Sequence, residues 1–337
     1  MSTRRAFLLL ALVNVLWGLS HVVTKAALEH YDPWLVTALR VTGAAGLLWL
    51  FQLRNGSSLV QATGVPWSHA AGMLAIGMFG VTLEMLLWHY GLQLSSSTDS
   101  SLLVVGEVLF TAFAATVLFR ERLGRARAAA ALAGVLGVLI LVGGGDLLNG
   151  HVPGGEGMPS VRSVGDVLVL LSTFVEGFYN VLGTRLTRRY PAHVVLTWTT
   201  TGAMVIWFVV WMHPVGHGIL HVAPWHAVGG VLYLAVVSSV ICYVLWFRVL
   251  GRIGANAGAP MLVLQPVTGV LLSVTLLGEP LGASRILGCL VILAALALNG
   301  YATVKSTTVP GPSGADVPDE QETGLPGLCP TNGATMP

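Results

Sequence analysis

The chain has 337 residues, of which 54% are apolar and only 9% charged, and its mean hydropathy is +0.77. A soluble protein of this length carries about a quarter charged residues to cover its surface, so lipid is expected to be the main solvent. A formal net charge of +2 without any basic run excludes a nucleic-acid partner.

Membrane-spanning helices need about 17–25 mostly apolar residues, and ten such stretches follow one another along the chain. The first half has 6–25, 34–53, 67–89, 98–119 and 126–144. The second has 164–185, 191–212, 225–247, 256–277 and 282–303. Arg4-Arg5 ahead of the first run looks like the start of a signal peptide. The run continues through Trp17-Gly18 toward Lys25 without a cleavage site, so it is read as a retained helix. Residues 1–144 and 164–303 thus form two five-helix units, joined by a Gly/Pro-rich linker at 145–163. From 304 to 337 the chain turns to Pro, Gly, Ser, Thr and acidic residues, a composition expected to be disordered.

The two units are copies. Trp67 to Gly124 aligns without a gap on Trp225 to Gly282, 158 positions later. Trp88 falls on Trp246, and Glu121-Arg122-Leu123-Gly124 on Glu279-Pro280-Leu281-Gly282. Leu matches mean little in so apolar a chain, but two coincident Trp pairs are informative. Such a duplication governs every further reading.

Cytoplasmic loops of membrane proteins collect Lys and Arg. With the N-terminus inside, thirteen of these residues fall on the inner side: Arg4, Arg5, Arg54, Arg120, Arg122, Arg125, Arg127, Arg185, Arg188, Arg189, Arg248, Arg252 and Lys305. The outer side receives Lys25, Arg162 and Arg285, and Arg40 lies within a helix. The loop after Leu118 is rich in arginine, whereas its counterpart after Leu276 carries only Arg285. Equivalent loops therefore face opposite sides, as an odd number of spans per copy requires. The expected architecture is an all-α integral membrane protein of ten helices in two inverted five-helix repeats, with both termini cytoplasmic. Two lysines against fifteen arginines, with abundant Ala and Gly, suggest a GC-rich bacterial genome and hence the bacterial plasma (inner) membrane.

The segment Asn14-Val15-Leu16-Trp17-Gly18-Leu19-Ser20, then Lys25-Ala26-Ala27-Leu28, Pro33 and Arg40, resembles the opening of an EamA-type unit of the drug/metabolite transporter superfamily. Leu262-Val263-Leu264-Gln265-Pro266 through Leu277-Gly278-Glu279-Pro280-Leu281 to Gly288 is similar to its closing pattern. The resemblance covers nearly the whole chain to about residue 303. It implies transport of a small metabolite, most often efflux of an amino acid or related compound. One departure stands out: Gly106-Glu107-Val108 occupies the place where the family usually has a proline, and the equivalent pair in the second copy is Gln265-Pro266.

Ionisable groups inside a bilayer are costly and mark pathways or substrate sites. Arg40, Glu84, His89, Glu107 and Glu176 fall within spans. Glu107 and Glu176 lie nearest mid-helix, one per copy, and are the candidates for substrate or proton binding. Burial disfavours the charged form of a carboxylate, so such a group can take up and release a proton. Arg40 and Glu84 fall in the outer half as a candidate pair. Trp17, Tyr179 and Asn180 are candidates to line the site, Asn180 being in register with His21. Trp67, Trp225 and Trp34 are expected at the membrane interface. Glu121 and Glu279, just past helices four and nine, are expected to cap helix N-termini. Small residues such as Gly43, Gly46, Gly134, Gly137 and Gly269 are expected where helices pack closely.

His213, His217, His221 and His226 crowd one loop, but Pro214 and Pro224 argue against a helical metal face. Cys242, Cys289 and Cys329 have no paired spacing. Gly143-Gly144-Gly145 lacks the Lys-Ser/Thr of a phosphate loop. No metal, cofactor or ATPase motif is read, so a secondary carrier, not an enzyme, is expected. Its partners would be a small-molecule substrate, membrane lipids and, as an open alternative, a second copy of the chain. The rival class is a lipid-handling membrane protein, either a scramblase or a lipid-modifying enzyme.

Overall fold

The computed structural model describes residues 3–119, 161–212, 224–253 and 264–283, with scattered positions within 129–140 and 261–294. The expected linker and C-terminal tail, most of the fifth and tenth spans, Glu121 and three of the loop histidines lie outside the described residues.

All regular structure among the described residues is helical. In the first half α1 covers Thr3–Leu28, α2 Pro33–Arg54, α3 Gly56–Thr63, α4 Trp67–Ile76, α5 Thr82–Leu94, α6 Ser97–Leu103 and α7 Gly106–Phe119. The second half has α8 Val161–Thr187, α9 Ala192–Ala203, α10 Ile206–Met212, α11 Trp225–Tyr233, α12 Tyr243–Ile253 and α13 Leu264–Leu277. Five continuous helices are long and apolar enough to cross a membrane: Arg4–Leu28, Pro33–Arg54, Trp67–Leu94, Val161–Thr187 and Trp225–Val249. The short α3, between the second and third spans, has no counterpart among the sequence expectations.

Prolines set several starts. Pro33 opens α2 behind Asp32, and α4, α9 and α11 each begin directly after Pro66, Pro191 or Pro224. A proline there presets φ and forfeits a donor that a helix start would leave unpaired anyway. Trp67 and Trp225 stand next to two of these prolines and are 71% and 85% exposed. Trp34 is instead half-buried and packs edge-on against Tyr90. Leu8, Leu50, Phe79, Val117 and Leu271 also point outward, an apolar exterior suited to lipid.

Two spans are widened by π-helical turns, Gly77–Val81 between α4 and α5 and Leu234–Cys242 between α11 and α12. The two occupy the same place in the repeat. Extra backbone in such a turn re-aims the side chains around it and often accompanies a functional site. The fourth span breaks at Val104-Val105 and the seventh at Met204-Val205.

The halves pack by exchanging the same contacts. α1 lies against α13, and α8 against α7. A Cβ on Gly18 would sit 2.7 Å from the Gln265 carbonyl oxygen; one on Gly177 would sit 2.7 Å from the Phe110 carbonyl carbon. Glycine at both crossings lets backbones touch where lipid provides no hydrophobic drive for helix association. Among the glycines expected at close contacts, Gly43 abuts Ala235 and Gly269 abuts Ser101, whereas Gly46 faces open space.

Candidate functional site

Between the halves lies a cleft lined by residues of both. Its acidic wall comes from α7 and α8. Ser172, Glu176 and Asn180 recur every four residues along α8, so they form one stripe on that helix, and all three line the cleft. Glu107 sits in the first turn of α7, where the helix dipole favours a carboxylate. Asn180 Nδ2 donates to Glu107 Oε1 at 2.6 Å, and the Tyr243 hydroxyl donates to Glu176 Oε1 at 3.2 Å. Glu84, from α5, completes the acidic set.

Arg40 of α2, which is 5% exposed, lines the same cleft. Its Nε donates to Ser239 Oγ at 2.8 Å and its Nη2 to Ser238 Oγ at 3.3 Å. The guanidinium carbon lies 5.5 Å from the Trp88 ring centroid, close enough for a cation–π contact. Both serines belong to the π-helical turn Leu234–Cys242. Ser238 also meets the Ser20 hydroxyl at 3.0 Å, and its carbonyl accepts from Trp17 Nε1 at 3.1 Å. Arg40 acts electrostatically on Glu84 and Glu176. Among the described residues, however, the direct ion pair is Arg162 with Asp99. The expected Arg40–Glu84 pair is not in contact: the serines take the guanidinium's directed bonds.

Trp17 also lines the cleft, edge-on to Tyr243 at 5.1 Å and to Trp246 at 5.4 Å. Trp88 Nε1 donates to Ser100 Oγ at 3.0 Å, and that hydroxyl lies 3.1 Å from His21 Nδ1. A neutral imidazole accepting there from Ser100 carries its proton on Nε2.

Of the six residues expected at the site, Glu107, Glu176, Trp17, Asn180 and Arg40 line one cleft, and Tyr179 does not. Tyr179 is buried among Ala38, Val41, Val81 and Met85. It adjoins Asn180 in sequence, and about 100° of helix rotation turns it to another face. His89 is buried against Thr37, with 2.7 Å between His89 Nδ1 and Thr37 Oγ1, and is not part of the lining. Ser20, His21, Ser238 and Gln265 line the cleft without having been expected there. Gln265 was already visible as the repeat partner of Glu107, and His21 as that of Asn180.

A second polar cluster joins the halves where α5 ends and α6 begins. The Glu279 carboxylate accepts from the backbone N–H groups of Ser97 at 2.8 Å and Thr98 at 2.7 Å. Lys25 Nζ donates to the carbonyls of Leu92 at 2.7 Å and Ser95 at 2.6 Å. Ser95 bonds Asp166, and Arg162 pairs with Asp99. Glu279 thus caps a helix as expected, but α6 of the other half and not the run that follows it. Elsewhere, His226 Nε2 lies 3.3 Å from His30 Nε2. No group of three metal-ligating side chains occurs among the described residues.

The model of the EamA-like transporter family matches residues 4–143 and 163–301. A "Probable amino-acid metabolite efflux pump" of Salmonella typhimurium is 27% identical over 320 residues, spanning 92% of this chain and 100% of that protein. A protein of the same description from Escherichia coli is 26% identical, with 89% and 96% covered. An uncharacterized transporter of Archaeoglobus fulgidus is 25% identical, with 87% and 96% covered. One solved crystal structure superposes with a TM-score of 0.60 at 20% identity, covering 90% of this chain and 99% of its own; it shares the fold.

Proposed function

The chain belongs to the EamA-like transporter family, and from that premise we propose that it is a secondary carrier exporting an amino acid or related metabolite across the bacterial plasma membrane. As a family member whose relatives are transporters and efflux pumps, it is a membrane transporter of small metabolites. The finer reading rests on one observation: a single cleft is lined by three carboxylates, Glu84, Glu107 and Glu176, and by the Arg40 guanidinium. A zwitterion presents an ammonium to the acids and a carboxylate to the guanidinium. Glu107 and Glu176 bind the substrate or a proton, Arg40 faces the substrate carboxylate, and Trp17 and Asn180 shape the cavity.

In this reading the fifth and tenth spans complete two inverted five-helix repeats, and both termini are cytoplasmic. The repeats rock about the central site to expose it alternately to each side. The arginine asymmetry and the glycine crossings at Gly18 and Gly177 support that plan. Without an ATPase motif, the driving force is a gradient of protons or of the substrate itself. The lipid-handling alternative has no support in the charged lining of the cleft or in the relatives. Flux of labelled amino acids into everted membrane vesicles tests the proposal. Transport should appear with the wild-type protein and disappear with Glu176→Gln; full transport by both Glu176→Gln and Glu107→Gln would remove these residues from the site.

A further inference from the structure

The three carboxylates of the cleft are not equivalent. Glu107 is held by Asn180 and Glu176 by Tyr243. Glu84 lines the same cleft, yet none of its hydrogen bonds falls on a described residue. It stands on α5 four residues before Trp88, so the two share a face of that helix. Arg40, whose field reaches Glu84, gives its directed bonds to Ser238 and Ser239 and its ring contact to Trp88. The acid that has no donor among the described residues therefore lies in the field of a guanidinium whose directed bonds go elsewhere.

The charge balance points the same way. Among the described residues, and with these groups ionised, the lining has three negative side chains against one positive. Uncompensated charge in a membrane interior is strongly unfavourable. A neutral zwitterion leaves that excess where it was, since its carboxylate opposes what its ammonium contributes. A second carboxylate on the substrate would add repulsion. A second amine would remove part of the excess and supply the N–H donors that Glu84 lacks. Tyr243 bonds Glu176 and Trp17 packs edge-on against Tyr243, so the cleft offers aromatic surface suited to a cationic group.

Resting on the carrier reading above, we propose that the cleft selects compounds with more positive than negative charge, such as a basic amino acid or a diamine, and that Glu84 receives their ammonium group. Glu84 is then the residue that sets charge specificity, while Glu107 and Glu176 hold the part common to all substrates.

The test is a binding series on the purified full-length protein in lipid nanodiscs at neutral pH. Four compounds of similar length are titrated: a basic, a neutral and an acidic α-amino acid, and a diamine without a carboxylate. The basic compound and the diamine are expected to bind about tenfold tighter than the neutral one, with no binding of the acidic one. Glu84→Gln should bring the basic and neutral compounds within about twofold of each other, and Glu84→Asp should keep the preference. Equal binding of the neutral and basic compounds by the wild-type protein overturns the proposal. So does a preference that survives in Glu84→Gln, or binding of sodium ions with no preference among the amines. If Glu84→Gln does not fold, the wild-type series and Glu84→Asp decide the matter. Charge-selective binding without flux would overturn the carrier reading and leave this inference standing; flux without charge selectivity would do the reverse.

Discussion

Asn180 donates its amide N–H to Glu107 Oε1 at 2.6 Å, a bond between α8 of one half and α7 of the other. Both residues face the cleft. The bond therefore braces the halves and shapes the site at once, and the two roles separate by mutation. A glutamine at 107 still presents a carbonyl oxygen to Asn180 but carries no charge. Glu107→Gln should keep its melting temperature and lose at least about tenfold in vesicle flux, the loss expected when a charged group is removed from a buried site. Asn180→Leu leaves the carboxylate without its donor, at a cost of about 1–3 kcal/mol, and should lower the melting temperature as well. Equal flux in wild type and Glu107→Gln would make Glu107 a strut alone.

Glu279 holds two backbone N–H groups of the other half. Glu279→Ala should cost about 1–2 kcal/mol of thermal stability, as loss of a helix cap does. In an alternating-access cycle this end must also open. The same variant should raise the rate at which a cysteine placed at Thr98 reacts with an impermeant maleimide. An unchanged labelling rate would mean that the contact does not gate access.

Gly18 and Gly177 mark equivalent helix crossings. Alanine at either position pushes a Cβ into backbone, and overpacking of this kind costs about 1–3 kcal/mol. Gly46→Ala, with nothing within 4 Å of the added atom, should leave the unfolding temperature alone. Detergent thermal unfolding of the three variants side by side checks the contrast.

Trp17 and Tyr179 should respond differently. Trp17→Ala removes a wall of the cleft and should raise the apparent KM for the transported compound. Tyr179→Phe removes only the hydroxyl of a ring that does not line the cleft. It should leave KM unchanged. A raised KM in Tyr179→Phe would place the ring in the substrate path after all.

How far each feature could be read in advance depends on how local its cause is. The five long spans of the described residues were legible because lipid demands about twenty apolar residues at a time. The duplication was legible because tryptophan is rare enough for Trp67–Trp225 and Trp88–Trp246 to mean something. The bonds of Arg40 were not: its acceptors Ser238 and Ser239 lie 198 and 199 positions away and reach it through a π-helical turn that no composition announces. The stripe of Ser172, Glu176 and Asn180 on α8 lines the cleft, and Tyr179, one residue off that stripe, packs among Ala38, Val41, Val81 and Met85. In water an apolar stripe tells which face of a helix turns inward; in lipid an aromatic ring suits either face, so residue type alone does not place Tyr179.

The chain by itself determined that it lives in a membrane, that it is two copies of one unit, and that Arg40, Glu84, His89, Glu107 and Glu176 fall within its apolar stretches. Those properties follow from solvation and from residue identity, which act position by position. Only the tertiary structure decided which buried groups meet. It set Glu107 on Asn180, anchored Arg40 on the serines and left Glu84 facing the cleft, because helix crossings and the widened turns at Gly77–Val81 and Leu234–Cys242 set the rotation of each helix.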